Sequence, residues 1–358
     1  ILGGFLVEHF DWHAIFLINP ALALVAIVVT FVLVPETRDP SKPKLDPLGA
    51  LLSTSGLVAV VYGVIQLPEE GIAVSTLGAV VAGVVLLGGF VLWELRAPSP
   101  MLDVRFFTVR LFSVSVVSVA VIYFALMGTM FFVPQFLQLV RSFSPIESGL
   151  GVLPLAGGLL VASLLSPRWA ASVGARTVVV TGLAAVSVGM VIAGFLTATT
   201  PYAVVGLVLA LMGTGLGLAL PQATNGILAS VPVEKAGSGA AVNDAVGELG
   251  GSLGVAVLGA VLAATYRSAI DDAVVRAGAA AQQLPAGVLD AVRESLATAS
   301  VAAGQVQGPA AQAIQTTAGD AFTSGMTTAL LVGAALPIVV TVVVRWTFPR
   351  DVAVVSEG

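Results

Sequence analysis

Residues 48–67 read LGALLSTSGLVAVVYGVIQL, a stretch of 20 apolar and uncharged polar residues without a single charge. An α-helix of this length rises about 30 Å, which is the thickness of the hydrocarbon core of a bilayer. A surface helix of a soluble protein would carry a charged face, and this stretch has none. It is therefore predicted to cross a membrane as an α-helix.

Runs of the same kind fill much of the chain. Hydrophobic residues make up 57% of the 358 positions and charged residues 10%, and the mean hydropathy is +1.03. The strands of a membrane barrel would alternate polar and apolar residues, and these runs do not alternate. The sequence predicts an all-α polytopic membrane protein, since backbone groups in lipid must pair within a helix. Its nine complete crossings are expected near residues 15–34, 48–67, 75–93, 111–140, 146–166, 177–198, 203–221, 239–265 and 323–344.

The composition also limits the function. The formal net charge is −5, and Lys and Arg lie between the apolar runs rather than in one basic patch, so nucleic-acid binding is not expected. Because the chain has no cysteine, disulfides and thiolate metal ligands are excluded. No Ser-His-Asp set or phosphate loop can be assembled, so the sequence predicts no enzyme, no catalytic residue and no cofactor.

Two local patterns superficially suggest ligand sites. His9 and His13 stand four residues apart, but a metal needs several converging ligands, so no metal site is predicted. Gly213, Gly215 and Gly217 form a G-x-G-x-G run inside an apolar crossing, with no strand before it. This context favours close helix packing over a phosphate site.

The positive charges of the connections indicate the orientation. Cytoplasmic connections of membrane proteins are enriched in Lys and Arg. One set of alternate connections holds 11 of the 15 cations and the other set holds four. A multi-pass protein of the cytoplasmic membrane with a cytoplasmic C-terminus is therefore predicted. The larger set is Arg38, Lys42, Lys44, Arg96, Arg105, Arg110, Arg168, Arg176, Lys235, Arg345 and Arg350, and the smaller set is Arg141, Arg267, Arg276 and Arg293.

The segment 266–322 interrupts the pattern of crossings. It is rich in Ala, Gln and Gly with scattered charges, and by parity it lies outside the cell. Its alanine-rich parts, 272–283 and 289–299, have the propensity for short surface helices. A flexible outer loop is the simpler prediction, and a role in gating is an alternative.

Several motifs together resemble the fourteen-helix drug:proton antiporter branch of the major facilitator superfamily, which contains multidrug and quaternary-ammonium exporters. They are distributed over most of the chain. The first two match the end of that family's fifth helix and the start of its sixth, and the next three its two extra central helices. The motifs are LGGFLVEHFDW (2–12), IFLINP (15–20), PETR (35–38), DPLGALL (46–52), YGVI (62–65), PMLDVRFF (100–107), PQFLQL (134–139), SP (144–145) and LP (153–154).

This resemblance implies a major facilitator fold. Residues 1–34 would end the N-terminal bundle, 35–110 would hold two central linker helices, 111–345 would form the C-terminal six-helix bundle with the outer loop 266–322, and 346–358 would be a cytoplasmic tail. The first four helices and most of the fifth are expected upstream, so the chain alone is not expected to pump. The implied function is proton-coupled export of lipophilic, cationic drugs or antibiotics, with small molecules, protons and membrane lipid as partners. Export of an endogenous metabolite, or a non-transporting membrane remnant, are the alternatives.

Two acids near the start of the second-to-last crossing are the first candidates for the transport chemistry. Ionisable groups in a bilayer cost about 2.5–3.5 kcal/mol each, so those that persist are candidates for function. If this helix begins near Lys235, Asp244 lies roughly 13 Å and Glu248 roughly 20 Å along it. Their spacing puts both carboxylates on one face, where mutual repulsion raises their proton affinity. Both are expected to be buried in the bundle, and the resemblance implies cation or proton binding; an alternative is that Asp244 caps the helix at a wet cytoplasmic mouth.

Other candidates are weaker. The polar residues Asn243, Gln135, Gln138 and Asn225 are candidates for the substrate path, although head-group contact also explains those near span ends. Aromatic residues either line a lipophilic pocket or face lipid, and they are Tyr123, Phe124, Phe131 and Phe132. The stretch PRWAASVGAR (167–176) resembles the superfamily's second cytoplasmic gating loop, which implies a gating role for Arg168, Gly174 and Arg176.

Overall fold

The computed structural model describes residues 2–10, 13–33, 46–70, 73–97, 100, 103–278, 284–285, 287–306 and 308–349. Asp11 and Trp12, the motif at 35–38, Lys42, Lys44 and the tail from Arg350 onward lie outside them. The described residues form helices and contain no strand. In chain order the α-helices are Leu2–His9 (α1), Ala14–Leu33 (α2), Pro47–Glu70 (α3), Val74–Glu94 (α4), Arg110–Gln135 (α5), Pro145–Gly151 (α6), Leu153–Val173 (α7), Ala175–Ala193 (α8), Tyr202–Leu228 (α9), Ala236–Ala277 (α10), Val288–Glu294 (α11), Leu296–Ala303 (α12) and Pro309–Thr347 (α13).

The long helices coincide with the predicted crossings. Within the described residues, eight segments are long and apolar enough to cross a membrane: α3, α4, α5 with the π-helical turn Phe136–Val140, α6 with α7, α8, α9, α10 and α13. The ninth, α2, contains the shorter apolar helix Ile18–Leu33. The predicted all-α polytopic architecture is confirmed.

Six long helices share one hydrophobic core. Helix α9 contacts α7, α8 and α5, while α10 contacts α5 and α13, and α13 contacts α8. Large side chains such as Phe112, Met190 and Leu216 are fully buried there. Outside the core, large apolar side chains such as Phe31 (86% exposed) and Leu207 (71%) cover the surface. A surface of this kind suits lipid as solvent, because lipid tails are as apolar as leucine.

Glycines allow the helices of this core to approach closely. A methyl group at Gly213 would collide with the carbonyl oxygen of Leu155 in α7, and one at Gly215 would lie 2.6 Å from the carbonyl oxygen of Gly182 in α8. Gly217 meets α7 in the same way. The prediction that the G-x-G-x-G run serves helix packing is confirmed.

The linker helices and the first helix attach to this core at separate places. Helices α3 and α4 pack against each other as a hairpin, and α3 also contacts α10. The hairpin is closed at one end by Trp93, whose Nε1 donates to the Asp46 carboxylate at 2.9 Å. Helix α1 packs on α6, where the Ser144 hydroxyl donates to Glu8 at 3.3 Å.

The outer segment 266–322 is folded, so the expectation of a flexible loop is wrong for its described part. Helix α10 continues to Ala277, α13 begins at Pro309, and α11 and α12 pack between them. The Tyr266 hydroxyl donates to the carbonyl oxygen of Val292 at 2.8 Å, and Ala299 is fully buried. The reason is a helical apolar period that composition alone conceals: Val288, Val292 and Leu296 recur at every fourth position and are buried. Residues 279–283 of the predicted helix 272–283 lie outside the described part.

The described members of the two sets of cations occupy opposite ends of the helices. At one end Arg110 donates to the carbonyl oxygen of Trp346 at 2.7 Å, and Lys235 pairs with Asp103 at 3.4 Å. At the other end Arg293 pairs with Asp271 at 2.9 Å. The separation agrees with the parity of the connections, and which end faces the cytoplasm stays a prediction.

Candidate functional site

Helix α10 organises the candidate site through a stripe of buried glycines. A methyl group at Gly250 or Gly254 would collide with the backbone carbonyls of Ala120 and Phe124 in α5. Only glycine allows α10 and α5 to approach this closely, so the stripe determines which side of α10 is buried. The acids of α10 must then lie beside the stripe rather than in it.

The predicted burial of the two acids is wrong in the described structure. Asp244 and Glu248 are four residues apart and leave α10 on the same side, as expected, but both side chains are exposed. The buried positions around them are Val242, Gly247 and Gly250. Burial was misjudged because depth along a helix says nothing about which face of that helix meets a neighbour.

Glu248 lines a cavity of about 550 Å³ between α5 and α10, with Ile65 of α3 on its side. Tyr123, Met127 and Phe131 form the α5 wall. Among the described residues that line the cavity, Glu248 contributes the one carboxylate. A negative charge beside two aromatic rings in a largely apolar cavity is suited to an apolar cation, which gains both ion pairing and cation–π contact.

Sequence reasoning found part of this cavity. Tyr123 and Phe131 line it, whereas the other two aromatic candidates, Phe124 and Phe132, are buried in the core. Met127 and Ser252 were not singled out. The helical period could have identified them from the sequence, because residues four positions apart lie on the same face of a helix. Met127 follows Tyr123 by four residues, and Ser252 follows Glu248 by four.

Asn243 connects the first acid to a neighbouring helix. Thr224 of α9 donates its hydroxyl to Asn243 Oδ1 at 2.9 Å, and Asn243 Nδ2 donates to Asp244 Oδ1 at 3.2 Å. Both the oxygen and the nitrogen of the Asn243 side-chain amide are therefore hydrogen-bonded within the protein. This suits a role in positioning Asp244 better than direct contact with a substrate. Thr224 was missed because the contact joins residues 19 positions apart on separate helices.

The other polar candidates lie outside the cavity lining. Gln135 donates its side-chain amide to the Phe131 carbonyl oxygen at 2.8 Å, within its own helix. Gln138 donates to the Ser148 hydroxyl at 3.3 Å. Asn225 is exposed on α9. Of these substrate-path candidates, Phe131 therefore lines the same cavity as Glu248, and the three amides do not line it.

The predicted gating loop at 167–176 is mostly helical. Helix α7 continues past Pro167 and Arg168 to Val173, and α8 begins at Ala175. The connection is Gly174 alone. Its φ is +85°, a backbone conformation that residues other than glycine rarely adopt. The length of the loop was overestimated because the predicted crossing ended at residue 166, whereas the helix continues through Pro167.

Long apolar helices that border an open cavity with a carboxylate on its wall are typical of a helical-bundle membrane transporter. Sequence comparison agrees: the model of the Major Facilitator Superfamily matches residues 1–255. The chain belongs to the major facilitator superfamily.

Three curated relatives illustrate its place in that superfamily. The chain is 32% identical over 350 residues to the multidrug efflux pump LfrA of Mycolicibacterium smegmatis. This alignment covers 98% of this chain and 68% of LfrA. It is 30% identical over 351 residues to the tetracenomycin C resistance and export protein of Streptomyces glaucescens, covering 97% of this chain and 65% of that protein. It is 30% identical over 277 residues to the multidrug resistance protein Stp of Mycobacterium tuberculosis, and this alignment covers 77% of this chain and 51% of Stp. The chain thus spans about two thirds of the length of the first two relatives and about half of the third.

Proposed function

We propose that the protein exports lipophilic, cationic drugs or antibiotics across the cytoplasmic membrane, and that proton influx drives the export. The observation that carries the proposal is the cavity that Glu248 shares with Tyr123 and Phe131. The relatives named as a multidrug efflux pump and as an antibiotic export protein support the substrate class. An apolar cavity with one carboxylate also favours a cation over an anionic metabolite.

In the proposed cycle the Glu248 carboxylate exchanges a substrate cation for a proton. The cation enters the cavity from the cytoplasmic side and pairs with the ionised carboxylate. After the site opens outward, a proton binds to the carboxylate, neutralises it and releases the cation. The proton leaves to the cytoplasm when the site opens inward again, which is the alternating access of two bundles around a fixed site. Asp244 is proposed as the second proton acceptor.

The positive-inside rule supports the direction of transport. Arg110, Lys235 and Arg345 belong to the cation-rich end, which is therefore assigned to the cytoplasm. The start of α10, and with it Asp244, lies at that end, while the outer segment lies at the other. Protons moving inward would then meet Glu248 before Asp244.

The test is ethidium efflux from cells that carry the complete reading frame encoding this chain. Glu248→Gln removes the ionisable group and keeps the shape of the side chain, so we expect efflux driven by the proton gradient to be lost. Asp244→Asn is expected to weaken it. Asp271→Asn is the matched control, because Asp271 lies on the same helix but pairs with Arg293 at the outer end.

Two results would contradict the proposal. Unchanged ethidium efflux in both Glu248→Gln and Asp244→Asn would remove these acids from the mechanism. Efflux that continues after the proton gradient is collapsed by an uncoupler would remove proton coupling. Membrane levels of each variant must match the parent protein, so that a loss of efflux reports transport.

A further inference from the structure

A second cavity, separate from the one at Glu248, lies between the linker hairpin and the first half of α10. Its volume is about 700 Å³, and it shares no lining residue with the first cavity. The hairpin α3–α4, the 3-10 helix Val104–Thr108 and α10 each contribute apolar side chains. The largest of these are Leu57, Leu87, Phe90, Phe107, Val246 and Leu249.

The cavity extends through one leaflet of the membrane. On α10 its lining begins at Gly237, one residue after the start of the helix, and ends at Leu249. These positions are about 18 Å apart along the axis, roughly half of a hydrocarbon core of about 30 Å. With the cation-rich end in the cytoplasm, this is the inner leaflet. A space of this depth and polarity suits an acyl chain.

Basic side chains stand at the cytoplasmic edge of this cavity. Arg105 is exposed and lies between the lining residues Val104 and Phe107. Lys235, 45% exposed, precedes Gly237 by two positions. Its ammonium pairs with Asp103 at 3.4 Å and lies 5.5 Å from the centre of the Phe106 ring.

The exposed charged side chains described at this edge are basic, while the nearby carboxyl groups of Asp46, Glu94 and Asp103 are buried or half-buried and Glu234 precedes Lys235 in the sequence. Exposed Arg96 follows α4 and adds a third cation to Arg105 and Lys235. Asp103 is shared with Lys235, while the Asp46 carboxylate accepts from Trp93 within the hairpin. Clusters of Lys and Arg at the cytoplasmic face attract anionic lipid head groups, at about 1 kcal/mol per residue near the surface.

We propose that this cavity holds one acyl chain of an anionic phospholipid of the inner leaflet, with the head-group phosphate at Arg105 and Lys235. The bound lipid would fill the space between the hairpin and α10 and hold the two together. A cationic drug is disfavoured here, because no carboxylate is among the described lining residues, whereas Glu248 lines the first cavity. The proposal is independent of what the protein transports.

The test uses the purified product of the complete reading frame encoding this chain in detergent, with phosphatidylglycerol or phosphatidylcholine added at equal concentration. Native mass spectrometry counts the lipids that each protein molecule retains. We expect one phosphatidylglycerol to be retained with about tenfold preference over phosphatidylcholine. The double variant Arg105→Gln with Lys235→Gln is expected to lose this preference, and Arg168→Gln, an exposed cation on α7, to keep it.

A second variant tests the cavity itself. Ala245→Leu places a larger side chain into the space and is expected to abolish retention of the lipid, while Ser252→Leu, in the first cavity, is its control. Equal retention of the two lipids, or an unchanged preference in the double charge variant, would overturn the proposal. Retention that survives Ala245→Leu would overturn it too, since the lipid would then lie elsewhere. Ethidium bound to the parent chain and lost in Ala245→Leu would instead identify a second drug site.

Discussion

At the scale of single residues, the hydrogen bonds around Asn243 explain how α9 is connected to the acids of α10. Because Asn243 Oδ1 accepts from Thr224, its amide nitrogen must face Asp244. A threonine on one helix therefore controls which end of the amide the carboxylate on another helix meets. This makes Thr224 and Asn243 positioning residues for Asp244 in the proposed proton exchange.

Thr224→Val tests this connection, since valine keeps the shape of threonine and removes the hydroxyl. One such hydrogen bond contributes about 0.5–1.5 kcal/mol. We expect proton-driven ethidium efflux to fall about two- to tenfold and its dependence on external pH to shift, at an unchanged amount of folded protein. Thr224→Ser should restore both. A normal pH profile in Thr224→Val would show that Thr224 only packs.

At the scale of helices, the contact between α5 and α10 depends on glycine. Gly250 and Gly254 face backbone carbonyls of α5 so closely that a methyl group does not fit. The same contact forms one side of the cavity at Glu248, so a shift of α10 would also change the cavity. Helix packing and the candidate site are therefore coupled through these residues.

Gly250→Ala is expected to destabilise the protein by about 1–3 kcal/mol, because overpacking forces the helices apart. The thermal unfolding midpoint in detergent measures this. Gly259→Ala is the matched control on the same helix, since a methyl group there would meet Phe131 at an ordinary 3.6 Å. Equal midpoints for the two variants would disprove the claim that close approach at Gly250 supports the bundle.

At the scale of the whole molecule, helices α11 and α12 form a folded cap over the C-terminal end of α10 and the N-terminal end of α13. Its anchors are the Tyr266 hydroxyl on the Val292 carbonyl oxygen and the ion pair of Arg293 with Asp271. The ion pair is exposed on both sides and contributes little, about 0–1 kcal/mol. The buried hydroxyl is the stronger anchor, because its loss leaves a buried carbonyl without its donor.

Tyr266→Phe is expected to cost about 1–3 kcal/mol and to expose the cap. Limited proteolysis should then cleave between residues 284 and 306 faster than in the parent chain. Tyr62→Phe, which changes an exposed tyrosine on α3, should leave the cleavage rate unchanged. Equal cleavage of both variants would mean that packing of α11 and α12 alone holds the cap.

How far the sequence predicts each feature follows from how local that feature is. The apolar runs predicted all eight described segments that are long enough to cross a membrane, because the requirement to pair backbone groups in lipid acts within a single helix. The glycine run 213–217 was also interpreted correctly, since its apolar context is visible in the sequence. The cap was expected only in part, as a short helix in the alanine-rich stretch 289–299, because the buried period Val288, Val292 and Leu296 is short and the composition of the segment is typical of a loop.

The sequence by itself determined that the chain is an all-α membrane protein with alternating basic connections, and it located the two acids on one face of one helix. Only the tertiary structure decided that Glu248 shares a cavity with Ile65 and Tyr123, and that neither acid is buried. The physical reason is that burial depends on which helices meet, and these residues come from three helices far apart in the chain. The glycines of α10 decide which face is buried, because only the glycine face can pack closely against α5. The face that carries the two acids is therefore left exposed.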